Sequence, residues 1–270
     1  MEVKEIECKS CLTPCGIEGI DYAINPYIGC QHSCNYCYAD FMKRFTGHSG
    51  EDWGQFVDVR TNIAEVLAKE LEKKKPGSVW LSSVTDCYQP LERKFQLTKG
   101  ILEAFAASKN GRKFELQILT KSSLVERDFG VLKELNAEVG LTVNTLQDKC
   151  SKAIEPFASP ASERIRVLKK AKKSGLKTYA FFGPVLPGIT DLEALFSEMQ
   201  DLDFVFVEML NTKPTVLARM IPLMKKEFPE EFRQWNELMG NPEQYYESLK
   251  KEATRLEKQF GLKVKAVIKH

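Results

Sequence analysis

Cys30, Cys34 and Cys37 lie in the stretch IGCQHSCNYCYADF, separated by three and then two residues. At that spacing, three thiolates can wrap one face of an iron–sulfur cubane and ligate three of its irons. The fourth iron is left open to a small molecule. Zinc is the main alternative, but a closed structural zinc site takes four protein ligands, and His32 and His48 are the only nearby extras. The bland reading is three buried thiols that bind nothing. A second set, Cys8, Cys11 and Cys15, precedes the first, with two and then three residues between its members. It leaves a second iron–sulfur cluster and a zinc ion both open, with a fourth ligand from Cys150, Cys87 or elsewhere. The bland reading here is a flexible tail of exposed thiols, which would be prone to oxidation. Six of the eight cysteines fall within the first 37 residues, so scatter does not account for them.

The rest of the composition is ordinary. Over 270 residues, 39 Lys and Arg balance 37 Asp and Glu, for a net charge of +2. That argues against a protein gripping nucleic acid through the phosphate backbone, a mode that needs a strongly basic domain; a local basic patch stays open. The first ten residues, MEVKEIECKS, have no apolar segment of signal-peptide or transit-peptide type. The most apolar run, 179–186, is interrupted by Gly183 and Pro184, so no membrane span is expected. The expectation is a cytoplasmic protein, where cysteines serve as ligands or catalytic groups more often than as disulfides.

The elements that must position the cysteines read as alternating strands and helices. Short β-branched or aromatic runs at 79–83, 114–120, 138–144, 177–185 and 203–210 predict buried strands. Amphipathic helices are predicted between them at 62–75, 97–108, 128–136, 162–174 and 192–199. Asn62, with Glu65 three residues on, has capping-box spacing. Gly175 sits where a helix should stop. With 22–28 as a first strand, the count is six parallel strands with right-handed crossovers. An open doubly wound sheet and a full or partial barrel both satisfy it, although no Gly-x-Gly-x-x-Gly follows the first strand. Beyond residue 229 two helices broken at 240–242, then a strand at 262–268, complete the chain. The division expected is a Cys-rich extension (1–20), a core (21–228) and a helical extension (229–270).

The triad after the first strand, with Tyr36 just before its third cysteine, resembles the radical S-adenosylmethionine (AdoMet) superfamily. The segments NPYIGCQHSCNYCYA, TDCYQPLERKFQLTKGILE, ILTKSSLVERD, VGLTVNTL, IEPFASPASERI and GPVLPGITD resemble its spore photoproduct lyase-like branch, across residues 25–191. The resemblance implies a partial (β/α)6 barrel of TIM type holding a 4Fe-4S cluster, with AdoMet chelating the open iron. One electron from the cluster, supplied by a donor such as ferredoxin or flavodoxin, would cleave AdoMet to a 5'-deoxyadenosyl radical that takes hydrogen from a substrate. It further implies that Tyr36 lays its backbone against the adenine, and that Lys121 pairs with the AdoMet carboxylate. Thr85 and Asp86 would contact the amino group. Thr142 and Asn144 would hold the ribose and methionine moiety, and the segment 182–187, with Pro184, would wall the adenine.

The chain departs from that branch in two places, one of them the Cys8, Cys11 and Cys15 set described above. The lyase's hydrogen-donating cysteine near the end of the second strand aligns with Ser83. Cys87, four residues later, is the candidate to replace it, and Tyr36 and Tyr38 flank Cys37 in the lyase manner. The expectation is a radical AdoMet enzyme of unidentified substrate. DNA-lesion repair stands as one alternative, although the charge balance does not support a nucleic-acid partner. The other is a non-catalytic iron–sulfur or zinc protein, an electron carrier or an adaptor binding through Trp235, Tyr245 and Tyr246.

Overall fold

The computed structural model describes residues 1–269. Its strands are β1 (Glu2–Ile6), β2 (Thr13–Pro14), β3 (Tyr22–Ile24), β4 (Tyr27–Ile28), β5 (Phe56–Arg60), β6 (Ser78–Leu81), β7 (Glu115–Thr120), β8 (Asn136–Thr142), β9 (Lys177–Val185), β10 (Phe204–Met209) and β11 (Val264–Ile268). The main sheet runs in the order β11-β10-β9-β8-β7-β6-β3-β2. Within this sheet β3, β6, β7, β8, β9 and β10 each lie parallel to the next, with helices in the crossovers, as the alternating pattern predicts. The sheet does not close into a ring: β2 caps one edge antiparallel to β3, and β11 extends the other edge parallel to β10.

Period-two alternation divides the sheet into two faces. Val79, Leu81, Ile118, Val139, Leu141, Phe182, Val205 and Val207 join the outer core. There they meet the helices Ile63–Leu71, Leu97–Ala107, Ala161–Lys173 and Leu192–Met199. Each such apolar side chain contributes about 1.5–3 kcal/mol on burial. The other face carries Gln117 bonded to Glu138, the Tyr179 ring stacked on Phe204, and Phe181 against Phe206. Tyr179 crosses directly over Gly140, where any Cβ would meet its ring at 2.2 Å. Parallel strands present their functional groups at the carboxyl ends, and all six point the same way.

Two sequence expectations need correction. The first strand breaks: β3 ends at Ile24, and β4 turns away to pair antiparallel with β5 in a second sheet of order β1-β5-β4. Pro26 has no ladder N–H, and the Asn25 side chain instead accepts from the Ser83 and Val84 amides. Asn62 makes no side-chain cap for the helix that follows. Its amide accepts from the Cys8 N–H at 2.8 Å and donates to the Cys8 carbonyl at 3.0 Å. Within residues 1–20, β1 lies parallel to β5 and β2 antiparallel to β3. At the other end, Trp235 is fully buried and donates to the Pro187 carbonyl at 3.2 Å. The Tyr246 hydroxyl donates to the Val267 carbonyl, so these aromatics serve packing. Among the described residues no helix is long and apolar enough to cross a membrane.

Candidate functional site

The segment from Gly29 to Cys37 forms a loop over the carboxyl ends of the main sheet. Gly29 introduces it with φ +84°, and a Cβ there would lie 2.4 Å from the Phe56 carbonyl, so only glycine fits. Its carbonyl accepts from Thr85 Oγ1 at 2.5 Å. Ser33 is also left-handed, at φ 51°, a conformation that costs a non-glycine residue energy and that clusters at functional sites. Cys30 and Cys34 are buried and Cys37 is half-buried.

Every thiol of this loop feels the same cation. Burial pushes all three thiols up from their ordinary value, and the Lys121 ammonium opposes that rise at each. Arg219 acts with it at Cys37, and backbone N–H groups of His32 and Ala39 face Cys30 and Cys37 respectively. Burial works against the charge on Lys121 itself, yet Cys34, Glu155 and Asp86 hold the ammonium above its usual range. Its Nζ lies 5.6 Å from the centre of the Tyr36 ring.

Two carboxylates brace the loop from below. Asp86 accepts from the Tyr88 N–H and Thr120 Oγ1 on one oxygen and from the Lys121 N–H on the other. His32 Nδ1, in the loop itself, lies 3.3 Å from the second oxygen. Burial opposes ionisation of Asp86, but His32, Thr120 and the Lys121 amide together hold its carboxyl well below the usual range. Its oxygens are thus engaged by protein groups, the Lys121 backbone N–H among them. The second brace, Glu155, is fully buried and faces Arg164, also fully buried. It accepts from the Tyr36 hydroxyl, from Asn144 Nδ2 at 3.4 Å and from Ser151 Oγ at 3.4 Å. Arg164 Nη1 donates to the Thr142 carbonyl at 2.9 Å, so one ion pair ties Tyr36 to the ends of β8 and the segment after it.

Sequence reasoning singled out neither Glu155 nor Arg164, although both stand in the segment IEPFASPASERI. It also missed Arg219, on the helix Pro214–Glu227. That side chain reaches back to donate to the Asn35 carbonyl, the Asp40 carboxylate and the Cys37 carbonyl. No local signal marks it, because its partners lie about 180 positions away in the chain.

The remaining expected residues divide. Thr142 and Asn144 are buried, and Thr142 Oγ1 and Asn144 Oδ1 have no hydrogen-bond partner. A buried polar atom without one costs about 1–3 kcal/mol, so a ligand there would relieve two such atoms. Pro184 is buried beside Gly183, where a Cβ would clash with the Phe181 ring and lie 2.8 Å from Glu208 Oε2. The Tyr38 hydroxyl donates to the Ser83 carbonyl at 2.9 Å. Burial, then Glu208, Cys37 and Cys15, push that phenol up.

Cys87 is fully buried, its thiol 3.7 Å from the Leu81 carbonyl and raised well above its ordinary value by burial, Asp86 and Glu92. It belongs to the outer core with Tyr27 and Tyr88. Cys8 is half-buried and Cys11 fully buried, and Glu70 accepts from the Cys11 and Leu12 N–H groups. Cys150 lies elsewhere, against Gln147. His48 is held between Glu51 and Asp58 and stacks on Phe56, with ring centres 3.8 Å apart. Among the described residues no three His, Cys, Asp or Glu side chains converge on a single metal ion.

A parallel α/β sheet carrying a three-cysteine loop beyond its strands' carboxyl ends defines the class, and the chain belongs to the radical SAM superfamily, whose model matches residues 24–197. An uncharacterized protein of Methanocaldococcus jannaschii is 36% identical over 234 residues, 86% of each chain. A radical SAM Nalpha-GlyT isomerase of Pseudomonas phage M6 is 25% identical over 83% of this chain but 46% of that protein. Among solved structures, a spore photoproduct lyase variant with bound AdoMet and dinucleoside spore photoproduct superposes with a TM-score of 0.68. It is 16% identical, over 98% of this chain and 81% of that one, a likeness of fold.

Proposed function

We propose that this chain is a radical AdoMet enzyme in which Cys30, Cys34 and Cys37 hold a 4Fe-4S cluster, and that the open run of six parallel strands is a partial (β/α)6 barrel. When bound, the cluster and AdoMet supply a 5'-deoxyadenosyl radical that abstracts hydrogen from a substrate; the radical chemistry is theirs. The observation that carries the reading is the charge pattern around the cysteine loop. Two buried thiols and the half-buried Cys37 share one lysine ammonium, beside two buried polar atoms without partners at and just beyond the end of β8.

The chain's own residues bind, orient and exclude water. Lys121 offsets the charge of three thiolates and offers its ammonium to the AdoMet carboxylate. Asp86 positions that lysine from beneath through its backbone N–H. Thr142 Oγ1 and Asn144 Oδ1 are the groups that AdoMet's polar atoms would satisfy. Tyr36 is fixed by Glu155, and thereby sets the backbone between Cys34 and Cys37. Phe181 and Pro184 give the pocket an apolar wall that sheds water.

The test is anaerobic reconstitution followed by reduction with dithionite in the presence of AdoMet. The reading expects about four irons per chain and formation of 5'-deoxyadenosine. A fully loaded protein that forms none of this nucleoside would overturn it. The substrate is a separate question, and incubation with a dinucleoside spore photoproduct decides the DNA-lesion alternative.

A further inference from the structure

Arg219 joins the two ends of the open run of parallel strands. It lies on the helix Pro214–Glu227, which follows β10, and its side chain reaches the loop that follows β3 and β4. In the sheet β3 and β10 stand at opposite ends of that run. Val216, Met220 and Met224, at helical spacing, are buried in the core and fix the face on which the helix rests. Arg219 sits beside that stripe with 31% of its side chain exposed. Strands do not close this side of the sheet, so the guanidinium acts as a clasp between its ends.

The clasp grips the turn around Tyr36. Arg219 Nε donates to the Asn35 carbonyl at 2.9 Å, and its two Nη groups donate to the Asp40 carboxylate and the Cys37 carbonyl. One planar fork thus engages the carbonyls of both residues that flank Tyr36, a geometry that an ammonium cannot reproduce. From the other side, the Asn35 N–H donates to the Ile154 carbonyl at 3.0 Å. The charges matter as well. Of the charged side chains that act on the Cys37 thiol, Lys121 and Arg219 favour the thiolate and Asp40 opposes it. Arg219 lies beyond residues 24–197, the part of the chain that matches the family model.

We propose that Arg219 is a positioning residue with two separable actions. Its charge offsets Asp40 beside Cys37 and makes the cluster easier to reduce, and its fork fixes the Tyr36 backbone on which AdoMet lies. This rests on the radical AdoMet reading above. The step affected is one-electron reduction of the cluster by an external reductant, and no atom moves with the electron. A carboxylate near the cluster disfavours the added negative charge, and a guanidinium that pairs with the carboxylate removes most of that effect.

The experiment is a redox titration of the reconstituted full chain with dithionite, followed by electron paramagnetic resonance, with iron measured on the same samples. Arg219→Gln should give about tenfold less reduced cluster at a fixed potential, a shift of about 59 mV to more negative values for one electron. It should also raise, about threefold or more, the AdoMet concentration that half-converts the reduced-cluster spectrum. Arg219→Lys keeps the charge without the fork, so it should hold the wild-type potential and show only the AdoMet effect. Asp40→Asn should move the potential the opposite way, to more positive values. Wild-type potential in Arg219→Gln would overturn the proposal. So would equal shifts in the Lys and Gln variants, or a shift of Asp40→Asn in the same direction as Arg219→Gln. If Arg219→Gln does not hold iron, the Lys and Asn variants decide alone, and iron loss in all three would reduce Arg219 to a structural brace and overturn the proposal. A wild type that takes up no cluster, or whose reduced spectrum ignores AdoMet, would instead refute the functional reading and the role of Arg219 with it.

Discussion

Two stretches of this chain place three cysteines within eight residues, with nearly mirrored spacings, and the fold treats them differently. Around Cys30, Cys34 and Cys37 the fold puts burial first and the acids Asp86, Glu155 and Asp40 push the same way, but Lys121 opposes them at every thiol, joined by Arg219 at Cys37 and by backbone N–H groups at Cys30 and Cys37. Around Cys11 it sets burial first, then Glu70 and Cys8, all of which make a thiolate harder to form, with only Arg60 opposing them. Cys15 stands apart from that pair, near Tyr38. Cysteine spacing describes what a loop can wrap. What differs around the two stretches is the cations within reach, Lys121 and Arg219 in one and Arg60 in the other.

The largest effects should come from breaking this contrast directly. Replacing Cys34 with Ala should abolish both iron retention and 5'-deoxyadenosine formation, whereas Cys11→Ala should leave the iron absorbance of the reconstituted protein nearly intact. Comparable iron loss from the two variants would mean that both stretches hold metal. Next in size is the buried pair that steadies Tyr36. Arg164→Ala strands Glu155 without its cation and should cost about 3–5 kcal/mol in denaturant unfolding. Glu155→Leu combined with Arg164→Met should recover most of that loss.

Asp86→Asn should cost less, about 1–3 kcal/mol. Because it loosens Lys121, it should raise the AdoMet concentration needed for half-maximal 5'-deoxyadenosine formation more than it lowers the limiting rate. A change confined to the limiting rate would argue against a positioning role. The smallest effect is at His48. Burial opposes its charge, but hydrogen bonds to Asp58 and Glu51 raise its value above the ordinary one, which is about 6.5. Its stabilising contribution is therefore fully present below about pH 6.5 and is lost as pH rises through the higher folded value. An NMR titration of the imidazole should give that raised midpoint, and His48→Gln should flatten the corresponding slope in stability.

Much of the frame was legible in the sequence because burial leaves a periodic trace. The run 177–185 reads as a strand and is one to the residue, as does the helix 192–199. The loop cysteines were legible because short-range spacing is geometry that a reader can test. Where side chains compete with local rules, reading fails. Asn62 has a cap's position but serves the Cys8 backbone. Tyr22 to Ile28 has one strand's composition, yet Asn25 and Pro26 divide it between two sheets. Glu155, Arg164 and Arg219 were illegible for a different reason: their roles rest on partners brought close only by the fold. Lys121, Thr142 and Asn144, by contrast, lie at strand ends, where alternation and strand direction together put side chains at the site.

The central claim is that the cysteine loop supports a cluster with one position left for AdoMet. Electron paramagnetic resonance of the anaerobically reduced, reconstituted protein tests it, recorded with and without AdoMet. The account predicts a reduced-cluster signal that changes shape and g-values when AdoMet is added. A strong reduced-cluster signal that is identical in the two samples would show a coordinatively saturated cluster and contradict it.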